Sequence, residues 1–260
     1  MLDFKGRVAV ITGAGQGLGR SYALVLAARG ARILVNDLPE FRPGKRGLAA
    51  QVANEITTAG GIAVACEGSV VTEAARIVQA AIDSFGQLDI LINNAGSTHH
   101  RMFEDLSDEE FKAQIDVHLG GGVAMCRAAL PHLKRSGTGK IVNTISSGIF
   151  GNSAISNYTA GKGGLLGFSR SFGLEALAHN IHLNCVFPNG STRLQWDMAE
   201  AFQSLLKAHF MPDRVAAFVA WLVHQDTKVA NEMFEVGGGA VARLAFAHFP
   251  YVQAGADSPE

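Results

Sequence analysis

Thr12-Gly-Ala-Gly-Gln-Gly-Leu-Gly19 follows the apolar run Val8-Ala-Val-Ile11 and leads into a helical pattern from Leu18 to Arg29. The run is short, uncharged and closed by a turn signal, which predicts a buried strand. Along the turn, Gly13, Gly15, Gly17 and Gly19 alternate with other residues. Without a Cβ the backbone can bend sharply and approach a ligand closely. A helix starting there aims unpaired N–H groups at whatever fills the crevice, and a pyrophosphate suits them best. Gly13, Gly15, Gln16, Gly17, Leu18 and Gly19 are therefore candidate cofactor-binding residues. A glycine turn alone is weak evidence. Its weight here comes from context: a strand before it, a helix after it, and a carboxylate, Asp37, closing the second strand pattern.

The same alternation continues along the chain. Strand runs stand at Val8–Ile11, Ile33–Val35, Ile62–Ala65, Ile90–Ile92, Ile141–Thr144, His182–Val186 and Met233–Val236. Helical stretches lie between them, near Leu18–Arg29, Leu48–Ala59, Glu73–Phe85, Asp108–Lys134, Tyr158–Ala178 and Asp213–His224. This order predicts an α/β fold, a doubly wound parallel sheet of seven strands with helices on both faces. Ser107 and Glu110 form a capping box for the fourth helix, and Pro212 stands where a helix can begin without losing a needed N–H. With no repeat and no linker, residues 1–260 read as a single domain, and the polar stretch 253–260 as a frayed tail.

Asp37, in Val35-Asn-Asp37-Leu38, is placed to accept hydrogen bonds from an adenosine ribose and would repel a 2′-phosphate. No arginine follows it and Gln16 is uncharged, so the pattern points to NAD. The competing reading is a loop aspartate capping the next turn.

Composition excludes several classes. The formal net charge of −1, with no run of Lys or Arg, argues against nucleic acid as a partner. No stretch reaches membrane-spanning length and the N-terminus lacks an apolar signal core, so no membrane partner is expected and the location expected is cytoplasmic. Cys66, Cys126 and Cys185 are odd in number and far apart, as reduced core thiols are. The nine histidines take no ligand spacing, so no metal is expected.

Tyr158 stands four residues ahead of Lys162, which puts the two on one helix face about a turn apart. A phenol beside an ammonium in a dry site is a proton-transfer device, because the ammonium favours the phenolate. Alone, the pair would read as a helix that happens to carry both residues; with the glycine turn it reads as catalytic.

Thr12-Gly-x-x-x-Gly-x-Gly19, Asn93-Asn-Ala-Gly96 and Tyr158-x-x-x-Lys162 together resemble the short-chain dehydrogenase/reductase family, from about Gly6 to Val241. More narrowly, Val35-Asn-Asp-Leu, Val117-His-Leu, Pro188-Asn and Phe234-Glu-Val-Gly-Gly resemble the dehydrogenase part of peroxisomal multifunctional enzymes. Those enzymes oxidise (3R)-hydroxyacyl-CoA and are also described as 17β-hydroxysteroid dehydrogenases. The resemblance implies a Rossmann-type fold, NAD as cofactor and a homo-oligomer, dimer or tetramer, built on the Asp108–Lys134 and Tyr158–Ala178 helices. It implies that Asn94, Ala95 and Gly96 line the nicotinamide-ribose side and that Lys162 holds the ribose hydroxyls. Pro188, Gly190 and Thr192 would face the nicotinamide amide. Gly68, Ser69 and Val70 stand where the family often has an aspartate near adenine, leaving their backbone to make that contact. Asp37 and Leu38 complete the adenosine side.

One position departs from the family. The family's serine, thirteen residues before the tyrosine, falls on Ile145, while Gly148 and Gly151 keep their places. Loss of one preorganised donor to an oxyanion typically costs about 10²–10³ in rate. Side-chain alternation turns Ser146 to the opposite face and returns Ser147 about 6–7 Å further on. Ser147 is therefore the candidate substitute, against the reading of a loop serine bonding its own backbone. His118 takes the place of a helix asparagine that joins a water chain to the lysine; the sequence leaves open whether it does likewise or is a satisfied core residue.

These residues predict hydride transfer between NAD and a secondary alcohol, with Tyr158 as acid and base. The substrate expected is a small molecule with an apolar acyl or steroid body, met by Thr98–Phe103, Ile149–Ile155 and an apolar lid around Leu194–Phe210. Arg193 and Lys207 are the evident basic residues of that lid. The alternative, motivated by Ile145, is an NAD-binding homologue with weak or no catalysis, a sensor or partner subunit.

Overall fold

The computed structural model describes residues 2–39, 47–190, 204 and 209–248. The first strand, β1 (Val8–Ile11), is buried along its whole length and lies inside the sheet rather than at an edge. It pairs with β2 (Arg32–Asp37) on one side and β4 (Ile90–Asn93) on the other, both parallel. Beyond β2 lies β3 (Ile62–Glu67); beyond β4 lie β5 (Lys140–Thr144), β6 (His182–Asn189) and β7 (Met233–Gly237). All seven expected strands are present and parallel. The chain crosses from β3 over to β4, so the strand order reverses between β1 and β4. A crevice opens outside the carboxyl ends of strands at such a switch point.

Helices cover both faces, each by an apolar stripe. On one face Tyr22 and Leu26 of α1 (Gly17–Ala27), Val52 and Ile56 of α2 (Leu48–Thr58), and Val215 and Val219 of the last helix share a core with Ile11 and Ile33. On the other, Ile77 of α3 (Ala74–Phe85), Met125 of α5 (Gly121–Ser136) and Leu165 of α6 (Ser156–Leu177) pack on Val8, Val10 and Leu91. The last helix, α7 (Pro212–Val223), begins with its proline as expected. At α4 (Asp108–Ile115) the capping box is complete: Ser107 Oγ accepts the Glu110 N–H at 3.2 Å and Glu110 Oε2 accepts the Ser107 N–H at 3.0 Å.

Two expectations change. An eighth strand, β8 (Ala240–Leu244), folds back antiparallel on β7. Gly238 and Gly239 between them both have positive φ, 59° and 85°, the signature of a two-residue hairpin turn. The long helix expected over 108–134 is also broken, because Asp116–Gly120 forms a π turn between α4 and α5. Cys66, Cys126 and Cys185 are buried free thiols. Among the described residues no helix is long and apolar enough to cross a membrane, and no group of three His, Cys, Asp or Glu is placed to hold a metal. The 253–260 tail lies outside the described residues.

Candidate active site

At the switch point the glycine turn and the loop after β4 are stapled together. Thr12 Oγ1 accepts the N–H groups of Asn94 and Ala95, and Asn94 Nδ2 donates to the carbonyls of Thr12 and Gly13, all at 3.0 Å. The approach needs glycine: a Cβ on Gly13 would lie 2.8 Å from Ala95 Cα, and one on Gly19 2.3 Å from the Gly13 carbonyl. Gly13 and Gly17 also have φ of +60° and +54°, where a Cβ is strained. Helix α1 starts at Gly17 with no side-chain cap from Gln16, so its first-turn N–H groups suit an anion.

Asp37 closes β2 beside this turn. Its Oδ2 accepts the Gly15 N–H and its Oδ1 the Leu38 N–H, both at 2.8 Å. The aspartate does cap local backbone, yet each carboxylate oxygen keeps further lone-pair capacity. The Gly68 N–H donates to the Asp37 carbonyl at 2.9 Å, and Ser69 N–H to Glu73 Oε2 at 2.9 Å, so the 68–70 segment borders the same crevice. Val70 is 5% exposed, with its side chain against Gly121, leaving its backbone for contact with a ligand. Pro188 is paired with Val236 in the sheet, and a Cβ on Gly190 would lie 3.2 Å from Leu18 Cδ2, so the end of β6 returns to the glycine turn. Thr192 and most of the expected lid, including Arg193, Trp196, Met198, Phe202, Leu205, Leu206 and Lys207, lie outside the described residues. Uncapped helix N–H groups, a cradle that side chains would fill and one carboxylate at the second strand fit a dinucleotide.

Tyr158 and Lys162 share the buried face of α6, at 8% and 4% exposure. Gly161 between them lets the α4 segment approach, since a Cβ there would lie 2.9 Å from the Gln114 carbonyl and 3.0 Å from His118 Cβ. Lys162 Nζ donates to the Thr144 carbonyl at 2.6 Å and lies 5.9 Å from the Tyr158 ring centroid. Burial pushes the Lys162 ammonium down to about 7. Burial also pushes the Tyr158 phenol up, opposed by a hydrogen bond with Ser146. The expected lowering of the phenol by Lys162 is thus not what the free protein displays. A half-discharged amine hydrogen-bonded to a carbonyl gives the phenolate little help.

His118 sits in the π turn at 2% exposure, its ring edge-on to Tyr158 with centroids 4.9 Å apart. Its Nε2 lies 2.8 Å from the Ser97 carbonyl and 3.2 Å from Gln114 Oε1. Both partners are acceptors, which puts the proton on Nε2. Burial and then the Lys162 charge push the imidazole down to about 3, so it is neutral at physiological pH. His118 thus has acceptors for its Nε2 and packs edge-on against Tyr158, while among the described residues its buried Nδ1 has no partner.

The serine expectation changes. Ile145 is 1% exposed, in the core beside Leu165. Ser147 is exposed at the start of a short 3₁₀ turn, Ser147–Phe150. Ser146, expected to face away, is half-buried just beyond the end of β5. Alternation is a property of continuous strand, and β5 ends at Thr144; beyond it, Ser146 Oγ folds over to accept the Gly148 N–H at 3.1 Å. Thr144, Ser97 and Gln114 hydrogen-bond to Lys162 and His118, and the sequence reading named none of them; only the serine cap of Ser146 on the Gly148 N–H left a readable signal.

The mouth joins both segments expected to meet substrate. Arg101 N–H donates to the Ala154 carbonyl at 2.8 Å, tying 98–103 to 149–155. Met102, Phe103 and Phe150 are 53%, 73% and 65% exposed, and Phe150 stacks on Phe187 at 6.1 Å, giving an apolar rim.

Comparison with known proteins matches this arrangement. The family described as short chain dehydrogenase matches residues 7–201. A peroxisomal hydratase-dehydrogenase-epimerase of Saccharomyces cerevisiae is 40% identical over 251 residues, covering 94% of this chain and 27% of its own length. A peroxisomal multifunctional enzyme type 2 of Mus musculus is 40% identical over 252 residues, covering 94% of this chain and 33% of its own. The chain thus spans about a third of these relatives or less. A crystal structure of a short chain dehydrogenase from Mycobacterium avium superposes with a TM-score of 0.86 at 35% identity, covering 98% of this chain and 91% of that one.

Proposed function

Because the chain belongs to the short-chain dehydrogenase family and is an oxidoreductase, we propose that it uses NAD to interconvert a secondary alcohol and a ketone. The observation that carries this reading is the Tyr158–Lys162 pair, buried on one face of α6 beside the switch-point crevice. When bound, NAD supplies the hydride acceptor. Gly13 to Gly19 and the start of α1 would hold its pyrophosphate, Asp37 its adenosine ribose, and Asn94 to Gly96 with Lys162 its nicotinamide ribose. In the oxidation direction Tyr158, as phenolate, takes the substrate hydroxyl proton at its Oη; in reduction it returns it. The neutral His118 ring walls the phenol from water on one side, and Lys162 holds its charge close to the same oxygen once ribose hydroxyls surround it. Phe103 and Phe150 suit an acyl or steroid body, and the relatives' names support a hydroxyacyl thioester.

Asp37 favours NAD over NADP through repulsion of a 2′-phosphate. The non-catalytic reading gains no support, since Tyr158 and Lys162 keep a catalytic arrangement despite Ile145. We also read the chain as a homo-oligomer, because Leu174 and Leu177 of α6 stay 64% and 43% exposed beside the stacked Phe168 and Phe172. Sedimentation of a monomer at micromolar concentration would remove that idea. We place it in the cytoplasm on its reduced thiols, whereas the curated relatives are named peroxisomal; microscopy of the tagged full-length protein decides.

The test is NADH formation from (3R)-hydroxyacyl-CoA and a 17β-hydroxysteroid. Tyr158→Phe is expected to lower turnover by about 10²–10⁴-fold while NAD still binds. No NADH from any secondary alcohol, or full activity in Tyr158→Phe, would sink the reading.

A further inference from the structure

Outward from β1 the sheet continues with β2 and then β3. A dinucleotide with its pyrophosphate at the Gly13–Gly19 turn and its ribose at Asp37 therefore carries its base over the end of β3. The chain there is Glu67-Gly68-Ser69-Val70. It is joined to the ribose side by the Gly68 N–H, which donates to the Asp37 carbonyl at 2.9 Å. Leu38, 60% exposed directly after Asp37, adds apolar surface at the same end.

Gly68 has no side chain, and the space beside it is filled from α3. A Cβ on Gly68 would lie 2.3 Å from Arg76 Nη2 and 2.9 Å from Glu73 Oε2. Arg76 is locked in that place along its polar edge. Its Nε donates to Glu73 Oε1 at 2.8 Å, its Nη2 donates to the Glu67 carbonyl at 2.5 Å, and its Nη1 approaches Cys66 Sγ at 3.6 Å. Glu73 Oε2 in turn accepts the Ser69 N–H at 2.9 Å, so helix and loop hold the guanidinium between them. The edge of the group is spent on the protein, yet the side chain stays 53% exposed. A planar cation whose edge is engaged presents its face, and that face stacks on an aromatic ring. Neither nearby carboxylate is left to accept the amino group of an adenine: Glu73 is occupied by Ser69 and Arg76, and Glu67 lies against Gly47.

We propose that Arg76 is a cofactor-binding residue whose guanidinium plane stacks on the purine of the dinucleotide, so that this end of the crevice grips the base by its face and does not select its exocyclic amino group. The role rests on the dinucleotide reading above. A base held by its edge needs an acceptor for the amino group of adenine, and a base held by its face does not. The plane of the arginine matters as much as its charge, because a lysine ammonium is a point charge with no face to offer.

The experiment measures Kd by calorimetric titration of the full chain, as wild type, Arg76→Met and Arg76→Lys. The ligands are NAD, nicotinamide hypoxanthine dinucleotide, in which an oxygen replaces the adenine amino group, and nicotinamide mononucleotide, which has no purine. Wild type is expected to hold the two dinucleotides about equally. Arg76→Met should weaken both alike, by about tenfold, and leave the mononucleotide unaffected. Arg76→Lys, which keeps the charge without the plane, should restore little. An unmoved Kd for NAD in Arg76→Met overturns the proposal, as does full restoration by lysine. A strong wild-type preference for adenine over hypoxanthine also overturns it, and needs no variant should Arg76→Met fail to fold. Equal loss of the mononucleotide would mark Arg76 as structural and end the proposal too. A wild type that binds no dinucleotide removes the cofactor reading and this proposal with it. One that prefers NADP removes only the choice of NAD, and the same variants titrated with NADP then decide.

Discussion

Gly96 owes its identity to a residue far along the chain. A Cβ there would lie 2.4 Å from His118 Cε1 and 2.9 Å from His118 Nδ1, and the ring cannot retreat because Tyr158 flanks it. Overpacking a filled site costs about 1–3 kcal/mol. Gly96→Ala is thus expected to lower the urea midpoint and to weaken NAD binding about tenfold, since the displaced loop carries Asn94 and Ala95. His118→Ala in the same chain should return much of both losses, and two single variants whose effects merely add would refute the contact. At this scale the sequence was partly legible. Tyr158, Lys162 and Asp37 stand where spacing put them, because helix pitch and strand end fix their directions. The direction of Ser146 was not legible, because alternation holds only while the strand lasts and its last residue is Thr144. The Gly96–His118 contact was illegible for another reason: it joins two loops whose meeting depends on the π turn.

Elements divide in the same way. Runs such as Val8–Ile11 are apolar throughout, as a strand buried on both faces must be, and all seven were found to within a few residues. The eighth strand is mostly exposed and carries Arg243 in its five residues, so it does not read as a buried strand, although Gly238-Gly239 announced its turn. That turn is a sharp test. Both residues occupy the left-handed region, where a side chain costs roughly 1–2 kcal/mol. Gly238→Val should lower the urea midpoint accordingly and expose β8 to proteolysis, while Gly238→Asn should cost less, because asparagine tolerates that region. Equal midpoints for Val, Asn and wild type would mean that the hairpin is not formed. The π turn left no trace in periodicity, for Val117-His-Leu-Gly-Gly121 fits an unbroken helix as easily. Its consequence is positional: five residues spent on one wider turn aim His118 at Tyr158.

The whole molecule keeps its chemistry at one end of the sheet and a second set of buried charges at the other. Arg7, Asp89, Lys140 and His182 mark the amino ends of β1, β4, β5 and β6, all less than a tenth exposed. Lys140 Nζ donates to the Thr227 carbonyl at 2.5 Å and lies 3.1 Å from His182 Nδ1, which is itself 3.2 Å from the same carbonyl. Burial, helped by Lys228 and Arg7 and opposed by Asp226, pushes this ammonium down to about 8. The folded state therefore releases its proton while the unfolded chain, titrating near 10.5, still holds it. Stability should rise between about pH 8 and pH 10, where the unfolded state binds more protons. Lys162, at about 7, adds to the gain from slightly lower pH. Urea midpoints at pH 7 and pH 9.5 check this: wild type should be firmer at the higher pH, and Lys140→Met should narrow the difference. The buried thiols of Cys66, Cys126 and Cys185, pushed up by burial, oppose this gain above about pH 9, so the test is the variant: a Lys140→Met protein with the same pH difference as wild type would contradict the role of this amine.

The strand order also dictates how this chain can assemble as it is made. β1 is made before its partners yet ends inside the sheet, paired with β2 from Val8–Arg32 to Ile11–Val35 and with β4 from Ala9–Ile90 to Ile11–Ile92. For roughly fifty residues of synthesis after β2, one side of an apolar strand waits with its hydrogen bonds unmade, the kind of edge that invites a neighbouring chain. β4 then inherits the open side until β5 arrives, and β5, β6, β7 and β8 each add to the outside of what already stands. Nascent chains should therefore be sticky at each successive apolar edge, and a chaperone that guards this protein during translation has work to do until β8 covers β7.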